Sequence, residues 1–278
     1  MSLSAIHSRF EARSRQQLHT VPILTPVLIW VRSGTKQMHT HGEPIRCPAG
    51  HCLVLPPVEA RQMENIPAAN GLYRAEVFAP PRAWTERFMQ RFGHLLPDEW
   101  LAAPSFACSQ ALGRQLEHLL GCQGEGELIS QRCELAWQGI LLTLAEAGLG
   151  APLFNLQPLS LTQRVHTLVR LDLAGPWHAA EIAAQLGMSE STMRRGLRAE
   201  QSSFSQLLAK LRLIEAFGRV MCSSQPLQQI AYDCGFLSPS RFSQNFRHYY
   251  GMSPSELRAS QQAEASSRNE NIYSQQNQ

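Results

Sequence analysis

The sequence predicts an α+β chain of two domains, a small antiparallel β-barrel or sandwich with flanking helices followed by an all-α domain. Three observations carry this. Residues 21–79 hold β-rich runs of about five residues separated by turn formers, the spacing of a hairpin stack. After Pro80-Pro81 the apolar residues recur at three and four positions instead of two, which marks amphipathic helix. The stretch 148–159, GLGAPLFNLQPL, has two Gly, two Pro and no period, as an interdomain boundary does, and everything beyond it reads as helix. These signals set a first domain over 1–150, a linker over 151–159, a second domain over 160–260 and a tail over 261–278.

In chain order the β runs are VLIWV, KQMHTH, PIRC, HCLVL and LYRAEVF, with turns at Ser33-Gly34, Gly42, Pro48-Ala49-Gly50, Pro56-Pro57 and Asn70-Gly71. Helical spacing follows over 84–92, 109–120 and 127–147. In the last of these Ile129, Cys133, Trp137, Ile140, Leu141 and Leu144 fall three or four apart, an apolar stripe that needs a partner. That partner is either a second copy, making this helix the dimerisation candidate, or the chain's own barrel. The tail, QQAEASSRNENIYSQQNQ, is nearly devoid of apolar groups and is expected to be disordered.

Composition narrows the function class. A chain of 278 residues, 44% hydrophobic and 17% charged, is neither collagen-like nor disulfide-stapled. The first twenty residues lack the apolar stretch of an export signal, and the longest apolar run, 21–31, is broken by Pro22, Thr25 and Pro26, well short of the roughly 20 residues that span a bilayer. The expectation is a cytoplasmic protein without a membrane partner. Seven cysteines (Cys47, Cys52, Cys108, Cys122, Cys133, Cys222, Cys234) include no C-x-x-C pair and read as reduced, buried small hydrophobes, with a redox switch as the lesser alternative. The formal net charge of +3 is unevenly spread: residues 1–155 carry 13 basic and 13 acidic groups, residues 160–260 carry 11 and 7. The positive excess in the second domain is where an anionic partner belongs.

That domain holds an internal repeat. In 178–186, HAAEIAAQL, Ala179, Ile182, Ala183 and Leu186 share a face, Gly187 supplies a tight turn, and Ser189 caps a helix over 190–200 whose Met193 and Leu197 point inward. Its outward residues include Ser191, Thr192, Arg194, Arg195 and Arg198. About 48 residues later Pro226 opens a helix as its first residue, Ile230 and Ala231 face inward, Cys234-Gly235-Phe236 turns, and Ser238 caps a helix over 239–250 anchored by Phe242 and Phe246. Ser240, Arg241, Gln244, Asn245, Arg247 and His248 remain outward, and a long helix over 204–222 joins the units. Two helix-turn-helix units so joined are far more specific than one, and the arginine fork suits guanine edges or phosphate.

These residues resemble the tandem helix-turn-helix domain of the AraC/XylS transcriptional regulators. The resemblance covers 160–260 through Ile182-Ala183, Leu186-Gly187, Ser189, Arg195, Leu211-Arg212-Leu213, Ala216, Ile230-Ala231, Gly235-Phe236, Ser238, Phe242, Phe246-Arg247, Gly251, Pro254 and Arg258. It departs in two places: Gly196 sits inside the first outward helix, at about 0.5 to 1 kcal/mol, and Ser202 and Ser203 stand where the family commonly has the glycine ending that helix. The resemblance implies recognition helices in successive major grooves, roughly 34 Å apart. Base readers are then Ser191, Arg194 and Arg195 in the first unit and Ser240, Arg241, Gln244 and Asn245 in the second, with Arg198, Arg247 and His248 on phosphates. It also implies a cupin-like barrel in the first domain, a homodimer, an effector ligand or regulatory protein as signal, double-stranded promoter DNA as partner and activation through RNA polymerase. No cofactor and no catalytic residue are expected.

Two other classes stay open. His39-Thr40-His41 with Glu43, Cys47, His51 and Cys52 suggests a metal, because H-x-H on a strand puts both imidazoles on one face. A metallo-cupin enzyme fused to DNA-binding helices would use such a pair, but only Gly42 separates His41 from Glu43 where the pattern wants three or four residues, so no metal is expected. A nonspecific architectural DNA protein would bind through phosphates alone, with a steep salt slope and little sequence preference.

Overall fold

The computed structural model describes residues 6–39, 43–60, 62–122, 124–170 and 172–262. The expected disorder over 263–278 lies outside the described residues. The chain divides into two compact units, one of the residues up to Leu156 together with the described residues from Ala259, and one of Gln157–Arg258.

The first unit contains eleven antiparallel strands among the described residues: β1 (His7–Ala12), β2 (Gln16–Leu18), β3 (Val21–Ile23), β4 (Val27–Ser33), β5 (Thr35–His39), β6 (Ile45–Pro48), β7 (His51–Leu55), β8 (Val58–Ala60), β9 (Gln62–Ile66), β10 (Tyr73–Phe78) and β11 (Ser105–Ala107). They form a five-stranded sheet ordered β1-β10-β4-β7-β11, a four-stranded sheet ordered β2-β9-β5-β6 and the pair β3-β8. Central strand β4 is buried at five successive positions, so both its faces are covered. Leu28 and Trp30 join Cys52, Val54, Phe78 and Phe106 in a core with α1 (Arg82–Phe92), α2 (Gln110–Leu120) and α3 (Glu127–Glu146). Ile29 and Val31, on the alternate face, are buried away from those helices.

The apolar stripe of α3 is spent inside this unit: Cys133, Trp137, Ile140, Leu141 and Leu144 are all buried in that core. Arg87 of α1 reinforces the contact with a fork to the buried Glu134 of α3, at 2.5 and 2.6 Å. The first residues of the expected linker belong here too. Residues 151–154 form a 3-10 turn with Leu153 and Phe154 buried in the same core, so apolar side chains override the Gly/Pro signal there.

Lys36 of β5 is 4% exposed. Its ammonium donates to Asn65 Oδ1 at 2.8 Å and lies 5.7 Å from the ring centre of Tyr73, and no carboxylate pairs with it among the described residues. Burial draws the amine from its ordinary 10.5 down to about 8, opposed weakly by the Cys47 thiol facing it. Below pH 8 both folded and unfolded chains carry the proton and the folded state bears the full desolvation cost. Between about 8 and 10.5 only the folded state loses it, so stability rises with pH. Lys36→Met is therefore expected to stabilise the first unit by about 1 to 2 kcal/mol at pH 7, and denaturant titrations should show the gap to wild type closing by pH 10. A pH-independent gap would mean that the lysine is charged in the folded state throughout.

The second unit is helical: α4 (Leu161–Val169), α5 (Ala179–Gln185), α6 (Glu190–Ala199), α7 (Phe204–Cys222), α8 (Leu227–Asp233), α9 (Pro239–Tyr250) and the start of α10 (Pro254–Gln262). Helix α7 buries Leu207, Leu211, Leu213, Ala216, Val220 and Met221, while Leu208 and Ile214 are half-buried. Phe217 stacks with Phe246 and Tyr250, centroids 6.3 and 4.8 Å apart. No helix among the described residues is long and apolar enough to cross a membrane.

Candidate nucleic-acid interface

Two turns place the outward helices, and the same backbone closure makes both. In the first unit Gly187 takes φ +70°, its N–H donates to Ala184 O and the next N–H, of Met188, donates to Ala183 O, both at 3.0 Å. In the second Gly235 takes φ +81°, its N–H donates to Tyr232 O at 2.8 Å and Phe236 N–H donates to Ala231 O at 2.9 Å. This pair of bonds needs a left-handed residue. Ser189 Oγ then accepts from Thr192 N–H at 3.2 Å to start α6, and Ser238 Oγ accepts from Arg241 N–H at 3.4 Å to start α9. Buried Met193 and Leu197 anchor α6, and Phe242 and Phe246 anchor α9. Pro226 is the cap residue before α8, with ψ 136°, and not its first turn residue. That cap leaves the missing N–H outside the helix.

All ten sequence-predicted interface residues are exposed. Ser191, Arg194, Arg195 and Arg198 lie on α6, and Ser240, Arg241, Gln244, Asn245, Arg247 and His248 on α9. They differ in what holds them. Arg194 pairs with Glu190 one turn back, and Arg247 lies 3.4 Å from Glu256. Arg195, Arg198 and Arg241 make no ion pair among the described residues. Four other arginines of this unit are structural: Arg164 donates to Leu186 O at 3.1 Å, Arg212 to Leu173 O at 2.9 Å and Gly175 O at 3.3 Å, Arg219 to Glu215 and Asp233, and Arg258 to the carbonyls of Ser223 and Gln225.

Two carboxylates near these helices are held by backbone N–H groups. Glu200 accepts from Leu161 and Thr162 N–H at 2.7 and 2.9 Å, capping α4. Glu256 accepts from Ser253 N–H at 2.7 Å, and that backbone bond holds its carboxyl below the usual range. Both helix N-termini favour negative charge, so the outward sides of α6 and α9 keep a positive excess suited to phosphate.

Both departures in the first unit have local causes. A Cβ on Gly196 would lie 2.6 Å from Leu161 Cδ2, so the glycine lets α4 close on α6. Neither Ser202 nor Ser203 is the left-handed residue; Gln201 is, at φ 56°, the one non-glycine with positive φ among the described residues. It closes α6 with the bonds seen at Gly187 and Gly235: Gln201 N–H to Arg198 O at 2.9 Å and Ser202 N–H to Leu197 O at 2.8 Å. Ser203 caps α7 in a reciprocal box with Gln206. Gln201→Gly is expected to stabilise the second unit by about 0.5 to 1 kcal/mol, read from its melting temperature; a loss would mean that the glutamine side chain makes a contact worth more than the strain.

Sequence reading missed Leu237, 94% exposed in a second turn one residue longer than the first, 234–238 against 186–189. The available signal was that spacing: Ile182 and Ile230 are 48 apart, Met193 and Phe242 are 49 apart. At the histidines, His39 Nε2 lies 3.5 Å from Gln37 Nε2, Glu43 is exposed, and His41 lies outside the described residues. No group of three or more metal-ligating side chains occurs among the described residues.

With this geometry in hand, residues 182–260 match the family described as a helix-turn-helix domain. The second unit is a helix-turn-helix domain. The chain is 39% identical over 101 residues to the HTH-type transcriptional regulator GadX of Escherichia coli K12, covering 36% of each chain. It is 35% identical over 96 residues to YdeO of Shigella flexneri, covering 34% of this chain and 38% of that one. The chain thus matches just over a third of the length of these relatives. Across both units the fold is that of ToxT from Vibrio cholerae, with a TM-score of 0.65 at 14% identity over 92% of this chain and 97% of that one. In this chain that fold is a β-rich unit followed by a helical unit.

Proposed function

We propose that this chain is a sequence-specific DNA-binding transcription regulator of the AraC/XylS type, an activator that works through RNA polymerase, with no catalytic step of its own. The observation that carries it is the duplicated turn, which presents two capped helices with outward Ser, Gln, Asn and unpaired Arg side chains. Such groups read base edges, and phosphate contacts alone would not require the amides. The GadX and YdeO likeness supports the same reading.

The first unit takes the signal. Its apolar cavity of about 360 Å³, with walls that include Ile45, Val54, Leu55, Val58, Leu101 and Pro152, favours an apolar small molecule, and a solved ToxT carries an unsaturated fatty acid. It also pairs two copies. With the buried stripe of α3 committed internally, Leu128, Leu135 and Leu142 stand seven residues apart and 75%, 61% and 38% exposed on the same helix, the spacing of a helix-helix seam.

The test is capture of genomic fragments by full-length protein at physiological salt. A few strong sites, each with two short motifs about 10 base pairs apart, is the expected result. Diffuse capture that collapses with salt would replace specific regulation with architectural binding.

A further inference from the structure

The cysteines are not all inert fillers. Cys52 is fully buried on β7, and Cys108 is partly exposed just before α2. Strand β11 pairs with β7 so that Phe106 faces Cys52, and Cys108 N–H donates to Gly50 O at 2.9 Å. Cys108 therefore lies two residues along from Phe106, on the sheet face of Cys52, and its Sγ lies 3.8 Å from Ser109 O. The Cys108 sulfur also sits over the first turn of α2, 3.7 Å from where a Cβ on Gly113 would be.

The setting favours a thiolate on Cys108 alone. The Cys52 thiol and the Arg32 guanidinium nearby together outweigh burial and hold Cys108 below the usual thiol range. The start of α2 adds its dipole. Arg32 is fixed in place, 4.0 Å above the Trp30 ring and 2.6 Å from Glu117. Cys52, beside Cys108 and in the core, is pushed up and keeps its proton. A nucleophilic thiolate beside a protonated resolving thiol is the arrangement oxidant-sensing cysteines share.

We propose that Cys108 and Cys52 form an oxidative modification site for hydroperoxides. The Cys108 thiolate attacks the peroxide, the O–O bond breaks, and Cys108 sulfenic acid and an alkoxide or hydroxide result, the latter taking a proton from water. Cys52 then attacks the sulfenic sulfur, and its proton leaves with the hydroxyl as water. The disulfide has two electrons fewer than the thiol pair, and those electrons have reduced the peroxide. Edge strand β11 and the start of α2 become covalently tied to β7.

The experiment compares Cys108 with the exposed Cys222 in the full-length wild-type chain. Limiting iodoacetamide at pH 7, read by peptide mapping, is expected to label Cys108 about tenfold faster. Hydrogen peroxide is then expected to give a 52–108 linked peptide, and Cys52→Ala a dimedone-trappable Cys108 instead. Equal labelling of Cys108 and Cys222, or a peroxide-treated wild type in which Cys108 is unoxidised or linked elsewhere, would overturn the proposal without relying on any variant's folding.

Discussion

Gly235→Ala is expected to destabilise the helix-turn-helix unit by about 3 to 5 kcal/mol, whereas Gly187→Ala, at the equivalent turn, should cost only about 1. Both glycines are left-handed, at φ +81° and +70°, so both substitutions incur the steric penalty of about 1 to 2 kcal/mol. Their surroundings differ. Nothing lies within 4 Å of a Cβ on Gly187, but a Cβ on Gly235 would be 2.7 Å from the backbone oxygen of Leu173 and 2.7 Å from Arg212 Nε. Those two atoms are themselves hydrogen-bonded at 2.9 Å. The new methyl must drive that pair apart, and a lost bond to a charged group adds about 1.5 to 3 kcal/mol. Calorimetry of both full-length variants checks the contrast; equal losses would show that the Leu173 carbonyl yields and that Arg212 does not brace the turn.

The same turn shows what the sequence makes legible. Helices over 204–222 and 239–250 are found where spacing places them, because their caps Ser203 and Ser238 and the stop at Gly251 are local signals. Strands β1, β2, β3, β8, β9 and β11 went unread: β1 pairs with β10, matching His7 to Phe78, and its own residues show no clean alternation. A left-handed glutamine at 201 has no sequence signature, and a glycine at 196 looks like a defect until Leu161, 35 positions away, packs on it. A lysine reads as surface, so the burial of Lys36 follows only from the closing of the sheets. On the outward helices the identities of the site residues were legible and their partners were not: nothing in the spacing says that Glu200 caps α4 while Arg241 is left unpaired. The thiol pair, 56 residues apart in sequence, is likewise a product of topology.

Arg241→Ala should cost about 1 to 3 kcal/mol at a specific site, a fall of roughly 5- to 150-fold, and relax preference at one base position. Three facts single it out. It is the third residue of α9, and N-terminal residues of a recognition helix meet the base edges. Its backbone N–H is fixed by Ser238 Oγ at 3.4 Å, which orders the Cα from which the guanidinium extends. Among the described residues its side chain has no carboxylate to leave, unlike Arg194 beside Glu190 and Arg247 beside Glu256. Arg198, further along α6, serves as the control. As a phosphate contact its alanine variant should lose affinity equally on specific and random DNA and lower the salt slope by about one. Titrations of both variants on a captured site and on scrambled DNA, at two salt concentrations, separate these roles. An Arg241 variant that weakens both DNAs alike would move Arg241 to the backbone and leave the reading in the second unit to Gln244 and Asn245, whose amides can pair with adenine.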